Sequence, residues 1–236
     1  MRKTLLASVA IAALATLGLA APAQAQGASW HSHRSTAEVS VLHAVPNVPV
    51  DIYVNHKLAI DDFQPGTLTD SMTVLTGRYV VSVTAATAVD DSAPIIGPVS
   101  LKLTKGKNYT LAAHLTTEGT PTATLFENDN GRIRAGYGQV TVRHIAAAPA
   151  VDVLANGVPV LTGLTNPNEE KRVARVATVS TTIALAGTTT PVLGPVDVSI
   201  EDGVNTIVYA VGSAADGTLG LSVQKVDMKV KAPSHS

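Results

Sequence analysis

Two histidines and two aspartates recur at one spacing, and they are the residues of this chain best suited by type to do chemistry. His43 precedes Asp51 by the same interval at which His144 precedes Asp152. Each histidine closes one run of alternating apolar residues, and each aspartate opens the next. Across a tight loop such a pair could serve as a general base or as half of a metal site. It could also simply fix the turn, through a hydrogen bond between the side chains or to the loop backbone. No Ser or Cys recurs beside the pair in both repeats, so a dyad would have no nucleophile to activate. His43, Asp51, His144 and Asp152 are therefore read as structural loop pairs, and no catalytic, cofactor-binding or metal-ligating residue is assigned.

Other constellations yield to the same weighing. Ser222 and Lys225 have the Ser-x-x-Lys spacing of penicillin-recognising enzymes, but that chemistry needs a helix to put both on one face. Here the pair falls in an expected strand, where an offset of three points the side chains to opposite faces. Gly136-Tyr137-Gly138 precedes no helix and is no phosphate cradle. Trp30-His31-Ser32-His33 offers two imidazoles near the N-terminus, and is read as a solvated end. Glu127 to Asn130 lacks the alternating acids of a calcium loop and is read as plain linker. Between Val140 and Val226 the one aromatic residue is Tyr209, which alternates with Ile207 and Val211 and belongs to a core, so the second repeat has no aromatic platform for a sugar.

The elements that carry these residues are written twice. Val39 to Ile60 aligns without gaps on Val140 to Leu161, sharing Val39/Val140, His43/His144, Val50/Val151, Asp51/Asp152 and Asn55/Asn156. Pro94 to Val99 (PIIGPV) is echoed by Pro191 to Val196 (PVLGPV) at a slightly shorter offset, so a few residues are inserted or deleted in loops. The repeat is domain-sized rather than a solenoid unit. Within it, runs of five to eight residues alternate at period two, rich in Val and Thr and punctuated by Gly-bearing turns.

This pattern predicts an all-β chain of two tandem immunoglobulin-like antiparallel β-sandwich domains after a signal peptide. A closed barrel is the alternative for each unit. The expected division is a signal peptide over 1–25, a disordered segment over 26–37 and a first sandwich over 38–128. A linker over 129–138, a second sandwich over 139–227 and a disordered tail over 228–236 complete it. Pro167 to Arg172 is the one stretch suited to a helical turn.

Arg2 and Lys3, an apolar run from Thr4 to Ala21, and Ala23-Gln24-Ala25 form a secretory leader with cleavage near Ala25. The mature chain is thus expected to be secreted or envelope-associated, with no integral membrane span after cleavage. Seventeen Lys and Arg face eighteen Asp and Glu, and two of the cations lie in the leader, so no basic face marks a nucleic-acid partner. The chain has no cysteine, and each core must hold without disulfides.

At His43-Ala44-Val45-Pro46-Asn47-Val48-Pro49, followed by Val50-Asp51-Ile52-Tyr53-Val54, the first repeat resembles the bacterial domain of unknown function 4397 family. Phe63 to Val83 resembles that family's next block, a Gly-Thr pair, a polar spacer and a Gly-x-Tyr turn leading into a strand. Val45 and Asn47 depart from the family's usual Ser and Asp, and the second repeat replaces the tip with Ala146-Ala147-Ala148. The resemblance implies an extracytoplasmic β-sandwich, often in tandem, with no established activity.

These readings together predict a non-enzymatic binding or adhesion-type module at the bacterial envelope, without a cofactor, whose partner is an envelope or extracellular macromolecule. The alternatives are a secreted hydrolase using His43 and Asp51, and a carrier of a small ligand or calcium.

Overall fold

Period-two alternation in segments too short and too β-branched for helices produces strands throughout. The computed structural model describes residues 35–231. The leader and the Trp30-His31-His33 segment lie outside them. The described chain is all-β, and none of its residues forms a helix long and apolar enough to cross a membrane.

The first repeat supplies β1 (Thr36–His43), β2 (Val50–Val54), β3 (Lys57–Phe63), β4 (Met72–Leu75), β5 (Gly77–Ala85), β6 (Ile96–Leu103), β7 (Asn108–Leu115) and β8 (Pro121–Asn128). They form two four-stranded sheets, ordered β4-β1-β7-β8 and β3-β2-β5-β6. Val41, Leu111 and Ala113 of the one pack on Ile52, Phe63, Val83 and Leu101 of the other. Two separate sheets facing across one core make a sandwich, not a barrel. All pairings are antiparallel except β1 with β7.

After the short β9 (Arg132–Arg134), the second repeat reproduces this order strand for strand. It consists of β10 (Tyr137–His144), β11 (Val151–Ala155), β12 (Val158–Leu164), β13 (Glu169–Arg175), β14 (Ala177–Leu185), β15 (Pro191–Ile200), β16 (Val204–Val211) and β17 (Gly220–Asp227). The sheets are β13-β10-β16-β17 and β12-β11-β14-β15, with β10 and β16 the parallel pair. Last comes β18 (Lys229–Lys231), parallel to β9.

Several local readings are revised. The stretch from Pro167 to Arg172 is a turn running into β13, whose backbone ladders onto β10 instead of closing on itself as a helix. Residues 129–138 include β9 and the start of β10, and Ile133 is buried. Met228, at the head of the expected tail, is buried too, and β18 follows it. Ala37, in the expected disordered lead-in, is buried where β1 pairs with β4.

The PIIGPV/PVLGPV echo has a backbone cause. Gly97 and Gly194 sit at φ +96° and +89°, where β6 and β15 break register against β5 and β14. A Cβ at either position would lie 2.7 Å from a carbonyl oxygen of the neighbouring strand, Val81 or Thr181, so only glycine fits.

β7 is buried along its whole length, which a strand with one wet face would not be. The described residues, 35–231, cluster as one compact unit. A third apolar cluster explains both facts. It joins Leu42, Ala112 and Phe126 of the first repeat to Ile145, Ile207, Tyr209 and Val226 of the second. The outer face of the β1-containing sheet therefore packs on the outer face of the β10-containing sheet.

Candidate functional site

Strand parity decides the fate of the His-Asp pairs. His43 follows Val39 and Val41 at period two and is paired with core residue Ala113, so it points between the sheets. Asp51 lies between Val50 and Ile52 of the core and points to the outer face. The two side chains thus belong to different sheets, His43 facing the core from one and Asp51 facing away from the core on the other. The second repeat behaves alike.

Each side chain is instead engaged by backbone. His43 Nε2 donates to the Val48 carbonyl at 2.8 Å, and His144 Nε2 to that of Pro149 at 2.9 Å. A carbonyl only accepts, so in the neutral ring Nδ1 carries the lone pair. Both Nδ1 atoms are buried without a partner. Burial holds both imidazoles below their usual pKa, partly opposed by the carbonyl bonds. Stacking on Phe63, with ring centroids 5.7 Å apart, further walls in His43. Leu164 stands opposite Val151 where the first repeat has Phe63 opposite Val50, and His144 lines an apolar cavity of about 440 Å³ with Ala146, Ala148 and Leu193.

The aspartates close a bulge. Asp51 Oδ1 accepts the amide of Asp62 at 2.9 Å, and Asp152 Oδ1 that of Gly163 at 2.8 Å. Asp152 Oδ2 accepts a second amide, from Gly187, at 2.8 Å. In the first repeat Asp61 and Asp62 bring carboxylate oxygens within 4.8 Å of that of Asp51. The second repeat has Thr162 and Gly163 there, while the amide-to-carboxylate bond persists. The shared function of the position is thus the bulge, and the acid cluster is an addition of one copy.

The other motifs also resolve. Ser222 and Lys225 fall on β17; Lys225 pairs with Glu201 on the exposed face, opposite the face that buries Gln224. The acids near the repeat junction are occupied. Glu127 pairs with Lys107, and Asp129 caps the amide of Gly131. The guanidinium groups of Arg134 and Arg175 each lie over the ring of Tyr137 in the Gly-Tyr-Gly segment, 5.2 and 5.3 Å from its centroid.

The most elaborate polar site lies between the repeats, around a residue the sequence did not single out. Arg143 is fully buried on the outer face of β10. Its Nη1 donates to Asn128 Oδ1 at 2.8 Å and to the Tyr209 hydroxyl at 2.7 Å. Tyr209 donates to Gln224 Oε1 at 2.6 Å, and Thr110 donates to the same oxygen at 2.8 Å. Asn128 Nδ2 donates to Thr110 at 2.9 Å, which closes a ring of five side chains drawn from both repeats. Nε donates to Glu169 Oε2 at 2.7 Å, and Lys171 shares that carboxylate. Phe126 covers the guanidinium at 4.3 Å. Burial raises the Tyr209 phenol pKa, against the pull of Arg143.

Charge and chain thus meet at one lock. The family model described as Domain of unknown function (DUF4397) matches residues 37–154, half of the chain. The chain belongs to that family. The DUF4397 match covers β1 from Ala37 onward and all of β2 to β8 and continues into β11, so it includes Asn128 and Arg143 on the two sides of the lock. No curated protein matches the chain.

A signal for Arg143 was present in the repeat. Its counterpart is Leu42, an apolar residue on what a lone sandwich would expose. Leu42 and Ala112 side by side on an outer face mark that face as covered.

Proposed function

We propose that the protein is an exported, non-enzymatic binding module of the bacterial envelope, in which a divergent second copy of the family's sandwich is locked to the first. The single observation that carries this reading is the closed ring around Arg143. A closed ring of buried, hydrogen-bonded side chains drawn from both repeats fixes their relative placement, which suits presentation of loops from a rigid frame. The residues that could have done chemistry hold backbone instead, which favours binding over catalysis. The first repeat offers loops for contact: its Asn47, Val48 and Pro49 tip is exposed, and Val89 stands on a longer loop at 95% exposure. In the second repeat Ala146 to Ala148, the counterparts of Val45 to Asn47, are buried beside Asn166, which bonds to both Ala146 and Leu115.

Co-sedimentation of the mature chain with envelopes of its own source tests this proposal. Saturable retention that survives salt and is lost on altering Val48 and Val89 is the expected result. Retention of none of the protein overturns the envelope assignment.

A further inference from the structure

The two sandwiches share a topology but not a filling. In the first, Tyr79 on β5 and Tyr109 on β7 pack with Ala37, Val74, Leu103 and Leu125 at one end of the core. The Tyr79 hydroxyl reaches across to the Leu75 carbonyl at 2.7 Å and closes the gap between β5 and β4. Strand registers give the counterparts in the second repeat. Tyr79 opposite Leu101 becomes Val179 opposite Val198, Tyr109 opposite Val39 becomes Thr206 opposite Val140, and Val74 opposite Ala37 becomes Ala174 opposite Gly138. Two rings and several methyl groups are missing from an otherwise equivalent interior.

What they leave is a cavity of about 400 Å³ between the sheets, lined by Val142, Val153, Leu161, Val179 and Val208 among others. Close-packed interiors leave few voids larger than a water molecule, and apolar cavities of engineered proteins stay dry until an apolar guest enters. The size falls in the range of small-molecule pockets. Arg172 and Thr181 are the polar residues of the lining. The cavity's rim includes Val160 of β12, 44% exposed, and Arg172 of β13, and these two strands are the edges of their sheets. Arg172 stands where the first repeat has Met72, each opposite the valine of the first strand. Its one carboxylate partner, Glu170 at 3.1 Å, is half-exposed, and an exposed pair of this kind holds its partners loosely. The guanidinium therefore keeps donors for a second carboxylate.

We propose that the interior of the second sandwich binds a single-chain aliphatic carboxylate, its tail between the sheets and its head group on Arg172. The slot between β12 and β13 is the entrance. This site is independent of the envelope-facing surface. Failure of co-sedimentation leaves it standing, and failure of ligand binding leaves that surface standing.

Calorimetric titration of the full mature chain with decanoate, and in parallel with 1-decanol, tests it. The expected result is one saturable decanoate site per chain, with a melting temperature that rises with ligand concentration. Arg172→Met, which restores the first repeat's residue, should weaken decanoate about tenfold or more and leave decanol unchanged, as loss of a charge-assisted bond requires. Val179→Tyr should abolish both while keeping a cooperative melt, since it restores the first repeat's filling. Should that variant not fold, Ala174→Leu blocks the same space from β13. Absence of decanoate binding, equal binding by a folded filling variant, or indifference of decanoate to Arg172→Met overturns the proposal.

Discussion

Asn128 Oδ1 accepts a hydrogen bond from Arg143 Nη1 at 2.8 Å, joining the last strand of the first sandwich to the first strand of the second. Fifteen residues of chain separate them, and β9 lies between. The bond is one side of a ring that also holds Thr110, Gln224 and Tyr209, so the loss of any member leaves buried partners unsatisfied.

Arg143→Ala should therefore cost about 1–3 kcal/mol for each buried partner it strands, Asn128 and Tyr209. It should also uncouple the sandwiches, so that urea unfolding followed by circular dichroism changes from one transition to two. A cycle with Asn128→Ala should give a coupling of about 0.5–3 kcal/mol. Lys107→Ala, which breaks the exposed pair with Glu127, is the control and should change stability by less than about 1 kcal/mol. An Arg143→Ala protein that keeps one transition at the original midpoint would refute the lock.

The paired aspartates should differ in weight. Asp152 accepts two backbone amides where Asp51 accepts one, so Asp152→Ala strands two donors and Asp51→Ala one. With about 1–3 kcal/mol for each stranded group, the second-repeat substitution should be the more damaging of the two. Denaturation midpoints of the two variants give the ranking directly. Equal losses would mean that the Gly187 contact adds nothing.

Gly97→Ala and Gly194→Ala should each destabilise by about 1–3 kcal/mol, because the left-handed backbone and the 2.7 Å approach to a facing carbonyl act together. Gly106→Ala has a similar φ of +71° with open space around it, and so measures the backbone term alone. The difference between the two kinds of variant isolates the clash. If all three lose the same stability, the strand approach is not what selects glycine.

These cases show what the sequence carried and what it withheld. Strands, turns and the repeat were legible because period-two alternation and glycine turns are local signals, and the PIIGPV echo pointed to a backbone constraint. The separation of His43 from Asp51 was legible in principle, since counting parity from Val41 and Ile52 turns His43 inward and Asp51 outward. The lock was legible only indirectly, through apolar Leu42 at the matching position, because Arg143 itself looks like an outward strand residue until a second sheet is known to cover it. The hollow second core was not legible, as Val179 and Thr206 are good strand residues, and only register against Tyr79 and Tyr109 shows what volume is missing. Local pattern encodes the strand; covering and filling are pairwise properties of sheets far apart in sequence.

Acidification should act through three buried imidazoles. His43, His114 and His144 are fully buried, and burial holds each below the ordinary value of 6.5, against the opposing pull of carbonyl bonds. A base whose folded pKa is depressed binds fewer protons folded than unfolded, so stability is fully present above the unfolded value and falls as pH drops below it. Stability should therefore be level, as far as these groups govern it, above about pH 6.5, and then decline by about 1.4 kcal/mol per pH unit for each histidine until its folded pKa is reached. His144→Gln keeps an N–H for the Pro149 carbonyl and cannot take up the proton, so it should remove one histidine's share of that slope. Urea midpoints measured across this range for both proteins decide the matter. An unchanged slope in the variant would mean that His144 protonates as readily in the fold as outside it, and that its cavity admits water.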